Sequence, residues 1–143
     1  MDEKNGVAPT PRPKHPHPHC LLCGDRNPWS LQLRFTAAAD GEVSTWFKGR
    51  QALQGYSGFL HGGVIASLLD SAMTNCLFQQ GIRAVTGELK IRYRHPIPCR
   101  AELDLRARVT AAKPPLFQLE AELRQETRVM ARATAKFMQK EEL

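Results

Sequence analysis

The chain has 143 residues, 42% hydrophobic and 24% charged, with a formal net charge of +6. This is the composition of one globular domain, too short for two full ones and too polar, at a mean hydropathy of −0.39, for a membrane-embedded chain. The basic balance leaves nucleic acid, an anionic membrane or a phosphorylated ligand as partner classes, and composition alone does not choose among them.

Residues 1–19 hold five of the ten prolines, Pro9, Pro11, Pro13, Pro16 and Pro18, interspersed with Lys14, His15, His17 and His19. Such a Pro/His-rich tail buries no apolar surface and is expected to be extended or disordered, with a single domain over 20–143. No run approaches the ~18 apolar residues of a spanning helix. The start lacks the apolar core of a secretory signal, so a cytoplasmic location without membrane attachment is expected.

Beyond the tail, apolar and polar residues alternate. Leu31, Leu33, Phe35 and Ala37 predict a strand over 31–37, and Asp40-Gly41 a hairpin turn into a second strand at 42–48. Period two returns in 84–95, where Leu89, Ile91 and Tyr93 share a face, and again in 102–109 and 117–124. In 129–137, Val129, Ala131, Ala133, Ala135 and Phe137 are expected inward and Met130 outward. Only 60–78 breaks this rhythm. There Val64, Ile65, Leu68, Leu69, Ala72, Met73 and Cys76 recur at helical spacing, and Gly81 follows as a stop. The order strand, strand, long helix, four strands predicts an α+β fold with one helix on the dry face of a curled antiparallel sheet.

Between Arg50 and Arg83 the only formal charge is Asp70. A carboxylate on so apolar a helix either lies on a solvated stripe with Ser67, Ser71 and Thr74 or points into a cleft as a base or nucleophile. His61-Gly62-Gly63 opens the helix, and unpaired N–H groups at a helix N-terminus suit an anion or oxyanion. Gly62 and Asp70 are eight residues apart, about 12 Å along a helix. One carbonyl carbon cannot lie within about 3 Å of both. If both act on one substrate they come from different chains, which predicts a homodimer with two sites at its interface.

The stretch Gly58-Phe59-Leu60-His61-Gly62-Gly63-Val64-Ile65-Ala66-Ser67-Leu68-Leu69-Asp70, with Thr86 and then Lys90-Ile91-Arg92-Tyr93-Arg94-His95-Pro96-Ile97-Pro98, resembles the hotdog-fold acyl-CoA thioesterases of the PaaI-like branch. The resemblance covers about residues 20–138 and implies a hotdog fold: a long central helix wrapped by a curved antiparallel sheet of five to six strands. It implies hydrolysis of an acyl-coenzyme A to free acid and CoA, without cofactor. Asp70 falls on the catalytic carboxylate, Gly62 on the glycine whose N–H polarises the thioester, and Thr86 on a hydroxyl that places water. His61 and Gly63 fall on supporting positions. Members form homodimers, often paired into homotetramers. Two departures stand out: Gly55, beside Gln54, replaces an amide residue common in relatives, and Ser71 replaces a glutamate. Tyr56, Phe59, Met73 and Leu77 are expected to line the acyl site, and Arg94 and His95 to meet coenzyme A phosphates. The alternative function is a non-catalytic module that binds or senses acyl-CoA in the same cleft.

Other signals carry less. Asp25-Arg26-Asn27-Pro28 resembles a hotdog hydratase signature, but Ser30 stands where that chemistry needs histidine. Cys20-x-x-Cys23-Gly24 with the nearby histidines offers three of four zinc ligands. No second ligand pair follows, so a local turn without metal is expected. Seven basic residues between Arg83 and Arg108 alternate with Glu88, Glu102 and Asp104, as on a salt-bridged sheet face. Only one aromatic residue, Tyr93, interleaves with them, short of the series of stacking rings that single-stranded nucleic acid requires.

Overall fold

A computed structural model describes residues 17–143, so the expectation for 1–16 lies outside the described residues. The described chain divides into two compact units, 17–32 and 33–143. The first consists of turns without helix or strand. In the second the elements run β1 (Thr36–Ala37), β2 (Val43–Lys48), a 3-10 turn (Gln51–Leu53), α1 (Gly62–Phe78), β3 (Ala84–Tyr93), β4 (Glu102–Lys113), β5 (Leu116–Gln125) and β6 (Arg128–Gln139). All six strands join one antiparallel sheet in the order β1-β2-β4-β5-β6-β3. Helix α1 packs on strands β2 to β6, as the hotdog architecture requires.

The helix forms where the sequence period becomes 3.6 and stops where Gly81 takes φ +74°, a conformation open to glycine. Its inward residues Ile65, Leu68, Leu69, Ala72, Met73, Cys76 and Leu77 are buried. Beneath it Ala107, Ala121 and Ala133 sit in register across β4, β5 and β6, all buried. This row of small side chains lets the helix approach the sheet, while Leu103, Leu105, Leu119, Leu123 and Phe137 fill the flanks. Each fully buried leucine or phenylalanine stabilises the fold by about 1.5–3 kcal/mol.

The opposite face is charged, as the alternation predicts. Arg106 pairs with Asp104 and Glu42, Arg108 with Glu120, and Glu122 with both Arg124 and Arg132. The register sets Arg106 opposite Glu122 and Arg108 opposite Glu120, so the basic residues of β4 are met by acids of β5.

Two expectations are corrected. The strand expected over 31–37 is a ladder of only Thr36 and Ala37. Gln32 adopts φ +53° and its N–H donates to Ser30 Oγ, which turns the chain where a strand would start. Alternating burial persists, with Leu33 buried and Phe35 half-buried, so the period records burial and not pairing. Met130, expected outward, is buried. Pairing jumps from Leu123–Ala131 to Arg124–Val129, and this bulge turns Met130 into the core.

Candidate active site

The helix start is a built feature. His61 caps α1 from an extended conformation, φ −62° and ψ 135°, and its Nδ1 accepts from the Gly63 N–H at 2.8 Å. Its carbonyl accepts from the N–H groups of Val64 and Ile65 at 3.0 and 3.1 Å. Gly62 is the first helical residue, so its N–H has no intrahelical acceptor. A Cβ on Gly63 would come within 3.1 Å of His61 Nδ1, so glycine at 63 leaves room for the capping ring. The hydroxyl of Tyr93 donates to the Gly62 carbonyl at 2.9 Å and fixes the turn from the end of β3.

The loop that delivers His61 is closed on itself and tied to the connection between β3 and β4. The His61 N–H donates to Leu53 O, Gly55 N–H to Phe59 O, and Leu60 N–H to Ile97 O. Gln54 Oε1 accepts from the Gly58 N–H at 3.2 Å, where Gly58 takes φ +85°. Tyr56, almost fully exposed, and Phe59 project from this loop.

Beside it lies a cavity of about 490 Å³. Its walls include Tyr56, Phe59, Gly62, Ile65, Tyr93, Arg94, His95 and Ile97. A neighbouring cavity of about 540 Å³ shares Tyr56, Leu60 and Gly62 and adds Gln54 and His61. Arg94 and His95 are held there by the β6 bulge, because the Met130 carbonyl accepts from both of their N–H groups, at 2.9 and 3.2 Å. Arg128 Nη2 lies 3.0 Å from His95 Nδ1 and adds a cation to the rim.

Asp70 stands two turns further along α1, half-buried. The hydroxyl of Thr86 donates to Asp70 Oδ1 at 2.6 Å. Thr86 stands where the β3–β6 register skips Gly87, and the bulge there re-aims the strand beside the helix. The bond ties the carboxylate to β3 and uses the one proton of the hydroxyl, so the other Asp70 oxygen and the lone pairs of Thr86 remain acceptors.

The sequence-predicted residues thus fall in two groups. Gly62, Tyr56, Phe59, Arg94 and His95 share the cavity, with His61, Gly63 and Gln54 behind it; Asp70 and Thr86 meet each other away from that cavity. Met73, expected to line the acyl site, has no exposed surface and belongs to the core. Leu77, named with it, is also buried. Ser71 is buried too, and its carbonyl and Oγ accept from Asn75 Nδ2 at 2.8 and 3.4 Å. Sequence reasoning missed the Tyr93 clamp and Arg128. Their partners are 31 and 33 residues away, and no local pattern marks such contacts.

Residues 57–131 match the family model described as "Thioesterase superfamily". Among curated proteins, rat acyl-coenzyme A thioesterase THEM4 is 41% identical over 64 residues, 45% of this chain and 27% of the rat protein. The match therefore spans about a quarter of that relative's length. Among solved structures, the thioesterase superfamily protein RHA08564 superposes with a TM-score of 0.79 at 24% identity, covering 85% of this chain and 63% of that one. The protein smu.793 of Streptococcus mutans UA159, solved bound to acetyl CoA, gives a TM-score of 0.70 at 21% identity over 76% of this chain and 88% of its own.

Proposed function

The chain belongs to the thioesterase superfamily, and from that premise we propose that it hydrolyses acyl-coenzyme A thioesters at two equivalent sites in a homodimer. The observation that carries this reading is the bond from Thr86 to the one carboxylate of the helix. A second support is the separation of that pair from the glycine turn: one helix cannot bring both to a single carbonyl, whereas two helices from two chains can.

The thioester carbonyl oxygen accepts from the Gly62 N–H of one chain, where the helix dipole favours the negative charge that develops there. Asp70 of the other chain takes a proton from water. The free Asp70 oxygen and the Thr86 oxygen each accept one hydrogen of that water, which leaves its lone pair directed at the carbonyl carbon. Collapse of the tetrahedral intermediate breaks the C–S bond, and Asp70 gives the proton it took from water to the departing sulfur, so coenzyme A leaves as the thiol and the carboxylate is restored. The acyl group occupies the cavity between Phe59, Ile65 and Ile97, and the phosphates of coenzyme A meet Arg94, His95 and Arg128. The binding of acetyl CoA by smu.793 supports this choice of substrate class. A cytoplasmic location fits such a substrate; among the described residues no helix is long and apolar enough to cross a membrane.

The test is release of free thiol from a panel of short, medium, long-chain and aromatic acyl-CoAs, with Asp70→Ala in parallel. Hydrolysis by the wild type and none by the variant is expected. Tight acyl-CoA binding without thiol release from any of the panel would identify a sensor instead.

A further inference from the structure

The loop 17–32 gathers one histidine and two cysteines outside the proposed active site. Ligand atoms of His17, Cys20 and Cys23 all lie within 4.8 Å of one another. No disulfide joins the two cysteines, and Cys23 is buried. The sequence alone assigns this segment to a local turn. The turn is present, and it is what brings the donors together.

Its construction is specific. The Cys20 N–H donates to His17 O, the Gly24 N–H to Cys20 O and the Arg26 N–H to Pro18 O, at 3.2, 2.9 and 2.8 Å. The Leu22 N–H points at Cys20 Sγ at 3.4 Å and orients that sulfur. Gly24 is required where it stands: a Cβ there would lie 2.5 Å from Cys20 N and 2.6 Å from both Cys20 O and Pro18 O. Asn27 locks the far side, donating from Nδ2 to His19 O and accepting at Oδ1 from the Trp29 N–H. The Leu31 N–H closes the loop on Leu21 O.

We propose that His17, Cys20 and Cys23 bind one zinc ion. Tetrahedral zinc with bonds of about 2.3 Å to sulfur and 2.0–2.1 Å to nitrogen sets donor separations of about 3.5–3.8 Å. No two donors are more than 4.8 Å apart, so the cluster reaches these by closing at most about 1.3 Å. Two thiolates and an imidazole are a soft donor set that selects zinc over calcium or magnesium, and the fourth position is left for a solvent molecule. Binding displaces the two thiol protons to solvent. The segment 17–32 has no helix or strand to hold it, and a metal crosslink is the device that fixes such short loops. This site is independent of the thioesterase reading.

The test uses the untagged full chain, purified with a thiol reductant, incubated with zinc sulfate and desalted. Elemental analysis is expected to find about one zinc per chain, and less than a tenth of that in the Cys20→Ser/Cys23→Ser double variant. His17→Ala weakens zinc binding at least tenfold, whereas His19→Ala retains the metal, which separates the site from the histidine-rich run. Titration of the wild type with cobalt(II) adds a readout that needs no variant to fold, a sulfur-to-cobalt charge-transfer band with the intense visible bands of a four-coordinate ion. Failure of the wild type to retain zinc and to give that band overturns the proposal. Equal zinc in the wild type and the double variant also overturns it.

Discussion

Thr86 Oγ1 lies 2.6 Å from Asp70 Oδ1, so the lone carboxylate of the helix is fixed by a hydroxyl from a bulge in the neighbouring strand. A carboxylate held this way keeps one oxygen fixed and one available. Replacement of Asp70 by asparagine preserves the shape and an acceptor for Thr86 but removes the proposed base. It is expected to lower kcat on the order of 10²- to 10⁴-fold, with the circular dichroism spectrum and the oligomeric state unchanged. Thr86→Val removes only the hydroxyl and lowers kcat roughly tenfold through poorer placement of water. Wild-type rates in either variant would remove the pair from the mechanism. Single turnover in H₂¹⁸O, followed by mass spectrometry of the Asp70 peptide, checks the base role: label in the acid product and none in the protein is expected.

The second prediction separates an N–H from a side chain. Proline at 62 deletes the proposed oxyanion donor, and the first position of a helix tolerates it. The preceding His61, at φ −62° and ψ 135°, already holds a conformation compatible with a following proline. Gly62→Pro should therefore keep the fold and lose about 10²- to 10³-fold in kcat. Gly62→Ala keeps the N–H, and its Cβ meets Tyr93 only at 3.8 Å, so its kcat should stay within about tenfold of wild type. Mixing Gly62→Pro with Asp70→Asn chains after partial denaturation tests the shared site. Random pairing makes half the dimers mixed, each with one intact site, so about a quarter of wild-type activity should return. No recovery from verified mixed dimers would place both groups in one chain.

Much of this arrangement is legible in the sequence because it follows from local period and from a lone charge. The switch from period two to 3.6 at residue 60 marks α1, and Asp70 is conspicuous because its neighbours are neutral. What the sequence does not reveal depends on register. Met130 faces inward because of a bulge opposite Leu123 and Arg124, and that same bulge holds Arg94 and His95 through one carbonyl. Alternation predicts the opposite face for Met130, since one extra residue reverses every side chain after it. Met73 shares the helical period with residues that border a cavity, and only the packing of α1 on the sheet shows it to be fully enclosed.

The third prediction concerns the cationic rim. Arg94→Gln and Arg128→Gln remove positive charge beside the cavity, and His95→Gln removes the imidazole there, without touching Asp70 or Gly62. KM for acyl-CoA should rise, by about tenfold for the triple variant, while kcat stays near wild type, the signature of uniform binding lost. The same variants should leave hydrolysis of the matching acyl-N-acetylcysteamine thioester unchanged, because that substrate has no phosphates. The wild-type KM for acyl-CoA should also rise with salt, and less steeply in the variants. Equal effects on both substrates would show that the rim shapes the cavity and does not read phosphate.

The fourth prediction follows from Cys76, fully buried in the core, where burial pushes the thiol from its ordinary 9.0 up to about 11. A backbone hydrogen bond at Val109 opposes that rise and the charge of Glu42 adds to it. The native state therefore holds this proton more tightly than the unfolded chain. The stabilisation is fully present below pH 9.0 and is lost as the pH rises through about 11. Urea midpoints of the wild type should fall between pH 8 and about pH 11, and they should fall less in Cys76→Ala. The cavity made by alanine lowers stability at every pH alike, so the pH-dependent difference isolates the thiol. Identical pH slopes for the two proteins would show that this thiol does not contribute to the alkaline transition.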